Sequence, residues 1–256
     1  MTLSFGDQLQ QGRALVVGAS QGIGLGFVQR LLADDRVTQV YATYRQLSSA
    51  ANLLALSTDP KLVPIALDAT DEAQVAVAIA QIQATCDRLD LLINCVGILH
   101  SETMQPEKSL RQLNAPQLLK YFEINTLPTA LLAKHSLPLL QRSDRSVFAA
   151  LSAKIGSIED NRLGGWYGYR ASKAALNMLL KTLAIELSRK SPHTIVAALH
   201  PGTTDTRLSA PFQRNVPPEK LFSVDRTVGQ LLTIIDALTE ADSGSFFSWD
   251  GSRIPW

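Results

Sequence analysis

Short β-branched or apolar runs alternate with longer stretches of helical periodicity, and this predicts an α/β fold with helices on both faces of a mostly parallel sheet. The runs lie at 14–17, 39–42, 63–67, 89–93, 146–151, 194–199 and 245–249, which gives about seven strands. The second observation is the turn Gly18-Ala19-Ser20-Gln21-Gly22-Ile23-Gly24, which follows the first run directly and opens an apolar helix. Strand, glycine turn and helix in that order begin a Rossmann-type, doubly wound domain.

The helical stretches fall at 23–33, 48–56, 72–85, 115–136, 168–189 and 225–238. Pro116 suits a first helical turn, whereas Pro128 lies inside its stretch and is expected to kink it. Residues 101–114 form a polar interruption and read as a loop beside the carboxyl ends of the strands. Residues 201–224, rich in Pro, Thr, Ser and charge, read either as a substrate lid or as a plain surface loop. The closing stretch 244–251 reads as an edge strand and a turn, with its aromatic residues in the core.

Composition narrows the class of function. The 256 residues carry 24 basic and 23 acidic side chains, a formal charge of +1, so no field holds nucleic acid or an anionic membrane. Nothing in the composition marks a second domain, and residues 1–256 are expected to form a single core. No run approaches the ~20 apolar residues of a membrane helix. Two cysteines, Cys86 and Cys95, and no opening segment of secretory pattern point to a cytoplasmic protein. The four histidines, His100, His135, His193 and His200, show no metal-ligand spacing, so no metal site is expected.

Several residues carry binding chemistry. Gly18, Gly22 and Gly24 let backbone N–H groups approach a pyrophosphate at a helix N-terminus, where unpaired donors and the helix dipole favour anions. Ser20 adds a hydroxyl to that turn, and Gln21 and Ile23 complete it. At the end of the second run, Ala42-Thr43-Tyr44-Arg45 has no carboxylate for an adenosine ribose. Arg45 can instead pair with a 2′-phosphate, which favours NADP(H) and leaves NAD(H) possible. Asp68 ends the third run as an acceptor for an adenine amino group or as a turn cap. Tyr169 and Lys173 stand four residues apart, about one helical turn, and so share one helix face.

Five strings, in order, resemble the short-chain dehydrogenase/reductase family over essentially the whole chain. They are the glycine turn, Asn94-Cys95-Val96-Gly97, Asn125 within Glu123-Ile124-Asn125-Thr126-Leu127, Tyr169-x-x-x-Lys173, and Pro201-Gly202-Thr203-Thr204-Asp205-Thr206. Gly156-Ser157-Ile158 and the stretch 164–173 are most similar to the carbonyl-reductase branch that includes sniffer and the C-factor proteins. The resemblance implies an NADPH-dependent reductase of a small or medium aldehyde or ketone, with pro-S hydride transfer. Tyr169 is then the proton donor, Lys173 lowers its pKa and binds the nicotinamide ribose, and Asn125 distorts its helix and holds a relay water. Asn94, Val96, Gly97, Pro201 and Gly202 border the cofactor, while the Thr204 backbone and the Thr206 hydroxyl hold its carboxamide. Homodimers or homotetramers through 115–136 and 168–189 are also implied.

Two departures are plain. Cys95 replaces an asparagine and reads as a buried filler. Ala153 stands where the family places a catalytic serine, leaving Ser157, Ser152 or no serine to act in its stead. Two other readings stay open: an NAD(P)-binding signalling or sensor protein of C-factor type with little turnover, and an NAD-dependent alcohol dehydrogenase. His200, before Pro201, is the one histidine expected near the nicotinamide, and Asp160 and Arg162 are either lining or solvated loop charges.

Overall fold

The computed structural model describes residues 12–256. Six parallel strands, β1 (Gly12–Val17), β2 (Val37–Tyr44), β3 (Leu62–Ala66), β4 (Leu91–Asn94), β5 (Ser146–Leu151) and β6 (Thr194–His200), build most of the main sheet. A separate two-residue pair, β7 (Thr203–Thr204) and β8 (Leu221–Phe222), lies beyond β6, and β9 (Ser245–Ser248) closes the main sheet. The seven-stranded order is β3-β2-β1-β4-β5-β6-β9, with every neighbouring pair parallel. This is the expected Rossmann-type arrangement, and the order reverses between β1 and β4.

Alternation along each strand sends side chains into two cores. Leu15, Val17, Leu92, Phe148, Val196 and Phe246 pack on one face, against helices α3 (Glu72–Thr85), α5 (Leu127–Leu140) and α6 (Tyr167–Lys190). Val16, Ile93, Val147, Ala149, Ile195 and Phe247 pack on the other, against α1 (Gly22–Leu32) and α7 (Val224–Ala237). The aromatic residues of the last strand are core, as their spacing predicts.

Two expected helices differ. The stretch 48–56 becomes a 3₁₀ turn at Leu47–Ser49 and one turn of helix α2 (Ala51–Leu54). The stretch 115–136 is two helices, α4 (Ala115–Asn125) and α5, separated at Thr126, whose φ of −116° departs from helical geometry. Pro128 therefore sits in the first turn of a new helix rather than kinking an old one. Asn114 caps α4 by accepting from the Gln117 N–H at 2.9 Å. The 201–224 segment is folded into β7, β8 and 3₁₀ turns between them.

No described helix is long and apolar enough to cross a membrane. The β1–α1 turn is the tightest backbone contact: a Cβ at Gly24 would run into the Gly18 carbonyl oxygen, and one at Gly18 would touch Val96 and Cys95. Gly24→Ala is expected to lower unfolding free energy by about 1–3 kcal/mol through overpacking against backbone, measurable by urea denaturation.

Candidate active site

A cavity of about 360 Å³ opens at the carboxyl ends of the strands, beside the β1/β4 reversal. Gly18, Ser20, Gln21, Gly22, Ile23 and Gly24 form one side of it. Gly18 and Gly22 have φ of +79° and +55°, which suit glycine. The N-cap Gln21 makes no side-chain cap bond, and the first turn of α1 has no acidic residue. Its leading N–H groups therefore face the cavity uncapped, a donor set suited to a pyrophosphate.

Arg45 and Asp68 line the adjoining end. Arg45 is exposed, and among the described residues its side chain makes no hydrogen bond or ion pair, so its guanidinium is available to an anion. Asp68 Oδ1 accepts from the Thr70 N–H and hydroxyl, at 3.0 and 2.7 Å, so it caps a turn while also facing the cavity. Thr43 was not singled out by sequence, yet its hydroxyl accepts from the Gly18 N–H at 3.1 Å and it lines the cavity.

The far end holds Val96, Gly97, Tyr169, Lys173, Pro201 and Thr206. A Cβ on Gly97 would lie 3.5 Å from both Asn125 Oδ1 and Lys173 Nζ, in ordinary contact, so the position is close to both side chains without requiring glycine. Thr206 places its methyl against Gly22, which joins the 201–208 segment to the glycine turn. The residues present thus fit an extended dinucleotide.

Four candidates lie behind the cavity wall. Asn94 donates to Thr129 Oγ1 at 2.9 Å and accepts from the Val96 N–H at 3.0 Å, shaping the end of β4. Asn125 ends α4, where it accepts from the Ile98 N–H at 2.7 Å and donates to Ile98 O and Ser172 Oγ, each at 3.0 Å. Gly202, with φ of +72°, faces the rings of Phe222 and Trp249. The Thr204 hydroxyl shares a 2.9 Å bond with Thr227.

Helix α6 brings Tyr169 and Lys173 to the same end, 7% and 3% exposed. Lys173 Nζ donates to Leu151 O at 2.9 Å and lies 5.9 Å from the centre of the Tyr169 ring. Burial lowers the Lys173 pKa to about 8 and raises that of Tyr169. The expected lowering of Tyr169 by Lys173 is therefore outweighed by desolvation in this state. Cys95, expected as a buried filler, is half-buried and lines the cavity, and desolvation raises its thiol pKa, which leaves it unreactive as a nucleophile.

Glu107 is the contributor that sequence reading missed. Although 1% exposed, its carboxylate accepts from the Gly168 N–H at 3.1 Å and from Gln117 Nε2 at 2.9 Å. Its charge sits at the positive end of α6 and fixes where Tyr169 enters the site. Just before it, Gly164, Gly165 and Trp166 all have positive φ, and Arg170 holds this bend by donating to the Gly165 and Ile155 carbonyls. A carboxylate 61 residues away leaves no local signature.

His200 does not reach the cavity. Its Nδ1 is buried without a partner, and burial together with Lys154 depresses its pKa to about 4. His100 does not line the cavity either; its ring centre lies 5.7 Å from that of Phe212. Asp160 pairs with Lys154 at 3.5 Å, and Arg162 donates to Glu159 O, so both belong to the surface loop. Among the described residues no group of three His, Cys, Asp or Glu forms a metal site.

A dinucleotide-shaped cavity at the switch point, ending on a buried Tyr–Lys pair, defines a nicotinamide-dependent oxidoreductase site. The short chain dehydrogenase family model matches residues 13–217, and the chain belongs to that family, an NAD(P)-dependent oxidoreductase. The NADPH-bound carbonyl reductase from chicken fatty liver superposes with a TM-score of 0.87 at 31% identity, covering 99% of this chain and 97% of that one. The carbonyl reductase Sniffer of D. melanogaster gives 0.85 at 26%, covering 96% and 100%. C-signal of Myxococcus xanthus is 30% identical over 168 residues, 66% of this chain and 93% of that protein.

Lys173 binds its proton less tightly when folded, about 8 against 10.5, so the unfolded chain carries the extra proton between those values. Stability therefore rises with pH across that window. The unfolding free energy of the protein minus that of Lys173→Met is expected to rise between pH 8 and 10, by on the order of 1 kcal/mol per unit. Chemical denaturation in a pH series measures it.

Proposed function

We propose that the protein is an NADPH-dependent reductase of a small or medium aldehyde or ketone, working as one catalytic unit over residues 1–256. The observation that carries the reading is the buried Tyr169–Lys173 pair at the end of a cavity whose other end presents the unpaired Arg45. Gly18, Ser20, Gln21, Gly22, Ile23 and Gly24 cradle the pyrophosphate. Arg45 binds the 2′-phosphate, and Asp68 accepts from the adenine. Val96, Gly97, Pro201 and Thr206 border the nicotinamide end, backed by Asn94, Gly202 and Thr204. The bound cofactor supplies the hydride.

Tyr169 carries the proton. Its raised pKa keeps the phenol protonated near neutrality, the form needed to donate to a substrate oxygen that gains electrons. Lys173, charged below about pH 8, offsets the negative charge left on the phenol oxygen. Asn125 keeps β4 and α6 in register around them through Ile98 and Ser172. Exposed Leu119, Met178 and Ile185 on α4 and α6 support a homodimer through these helices.

A second reading, a cofactor-binding signalling protein with little turnover, is favoured by Ala153 and by the likeness to C-signal. Tyr169→Phe separates the two: NADPH consumption with a carbonyl panel is expected to fall at least about 100-fold while NADPH affinity stays within a few-fold. Retained turnover in this variant would count against the assignment. Arg45→Ala is expected to weaken NADPH binding about tenfold or more and to leave NADH binding unchanged, by fluorescence titration. Equal losses for both cofactors would remove the NADP preference and favour the NAD-dependent alternative.

A further inference from the structure

The cavity gathers cations in a chain that is close to neutral, with a formal charge of +1 over 256 residues. Among the described residues, the charged side chains on its wall are three cations, Arg45, Lys173 and Arg207, against one carboxylate, Asp68. Asp68 is engaged with Thr70, and Lys173 is held by Leu151 O at the buried end. Arg207 is exposed, and among the described residues its guanidinium makes no hydrogen bond or ion pair. A bare guanidinium is common on protein surfaces, and it is the place of this one in the fold that sets it apart.

Arg207 sits on a turn pinned by its own neighbours. The Ser209 and Ala210 N–H groups both donate to Thr206 O, at 3.1 and 3.0 Å. The Ser209 hydroxyl donates to Thr204 O and accepts from the Thr206 N–H at 3.2 Å and from Gln213 Nε2 at 2.8 Å. Asp205, the acid nearest in sequence, accepts from the same Gln213 Nε2 at 2.9 Å. From the loop after β4, His100 Nε2 donates to Arg207 O at 3.2 Å and fixes the backbone of this residue. One residue earlier, the Thr206 methyl would lie 3.3 Å from a Cβ built on Gly22, the first residue of α1. The turn therefore carries Arg207 next to the uncapped helix end, where the dipole already favours an anion.

Resting on the cofactor site of the reductase reading above, we infer that Arg207 binds the pyrophosphate of the dinucleotide, so that each anionic group of NADPH has its own arginine. Arg45 takes the 2′-phosphate. Arg207 takes the pyrophosphate, to which the α1 N-terminus offers only backbone N–H groups and a partial charge. A guanidinium adds a full charge and a fork of donors there, and such charge-assisted bonds are shorter and stronger than neutral ones. The two arginines divide recognition between them: Arg45 distinguishes NADPH from NADH, and Arg207 serves both, because both carry the pyrophosphate. The contact also ties the turn at 206–209, and with it the segment that leads to Phe212, to bound cofactor.

The test is a fluorescence titration of the full chain with NADPH and NADH, with ADP-ribose and adenosine 2′-monophosphate read by displacement of NADPH. Arg207→Ala is expected to weaken NADPH, NADH and ADP-ribose alike, by about tenfold, and to leave adenosine 2′-monophosphate within about twofold. Arg45→Ala should give the complementary pattern, weakening NADPH and adenosine 2′-monophosphate but not NADH. Arg207→Lys keeps the charge without the fork and should fall between alanine and arginine. Added salt should weaken NADPH binding less in Arg207→Ala than in the unsubstituted protein, a difference that a packing defect does not produce. Unchanged affinity of Arg207→Ala for NADH and ADP-ribose overturns the inference. If the KM of phenylglyoxylate then rises in this variant while that of phenylglyoxal does not, the guanidinium serves an anionic substrate instead. An equal loss of adenosine 2′-monophosphate marks a general distortion of the site and overturns it too. NADPH binding that depends on Arg207, with no turnover of a carbonyl panel, leaves the inference standing and removes the reductase reading alone.

Discussion

A parallel sheet is stable only when both of its faces are covered, and that constraint organises this protein. Alternate side chains of β1, β4, β5 and β6 fill the two cores, with Phe148 and Val196 on one side and Val147 and Ile195 on the other. Covered on both faces, the sheet can offer polar backbone to a ligand only at its strand ends. The reversal between β1 and β4 parts the flanking helices there, and the cavity opens in that gap. The glycine turn holds it open, because α1 approaches Gly18 so closely that Gly24 has no space for a Cβ.

Among the described residues, the buried Lys173 has no acidic partner. Its ammonium is held by one carbonyl, Leu151 O, at the point where β5 leaves the sheet. Desolvation brings the ammonium close to losing its proton and holds Tyr169 more firmly in its neutral form. Such a pair is stabilised from outside. Glu107 holds the start of α6, and Asn125 ties its second turn to the chain just beyond β4 through Ser172 and Ile98.

Around Tyr169 the polar groups have turned away. Ser152 donates to Asn177, Ser157 to the Trp256 carbonyl and Tyr121 to the Leu99 carbonyl, while Ala153, Trp166 and Phe212 pack against the cluster that contains Tyr169. The cavity is therefore asymmetric, with an uncapped glycine turn at one end and a largely apolar surround of Tyr169 at the other.

Much of this was legible in the sequence because its causes are local. Alternation and helical period depend on neighbours a few residues apart, the glycine turn on its own backbone, and the Tyr169–Lys173 spacing on one turn of helix. Gly18, Gly97, Tyr169 and Thr206 from the ordered strings, with Arg45 and Asp68 from the ends of the second and third strands, were expected to serve one site, and all six line one cavity. Only the tertiary structure decided the rest. The break at Thr126, the burial of Glu107 beneath α6, the turn of Ser152 toward Asn177 and the withdrawal of His200 each depend on partners distant in the chain. A carboxylate's place or a hydroxyl's direction follows from which group 25 or 61 residues away can satisfy it, and local pattern carries no record of that.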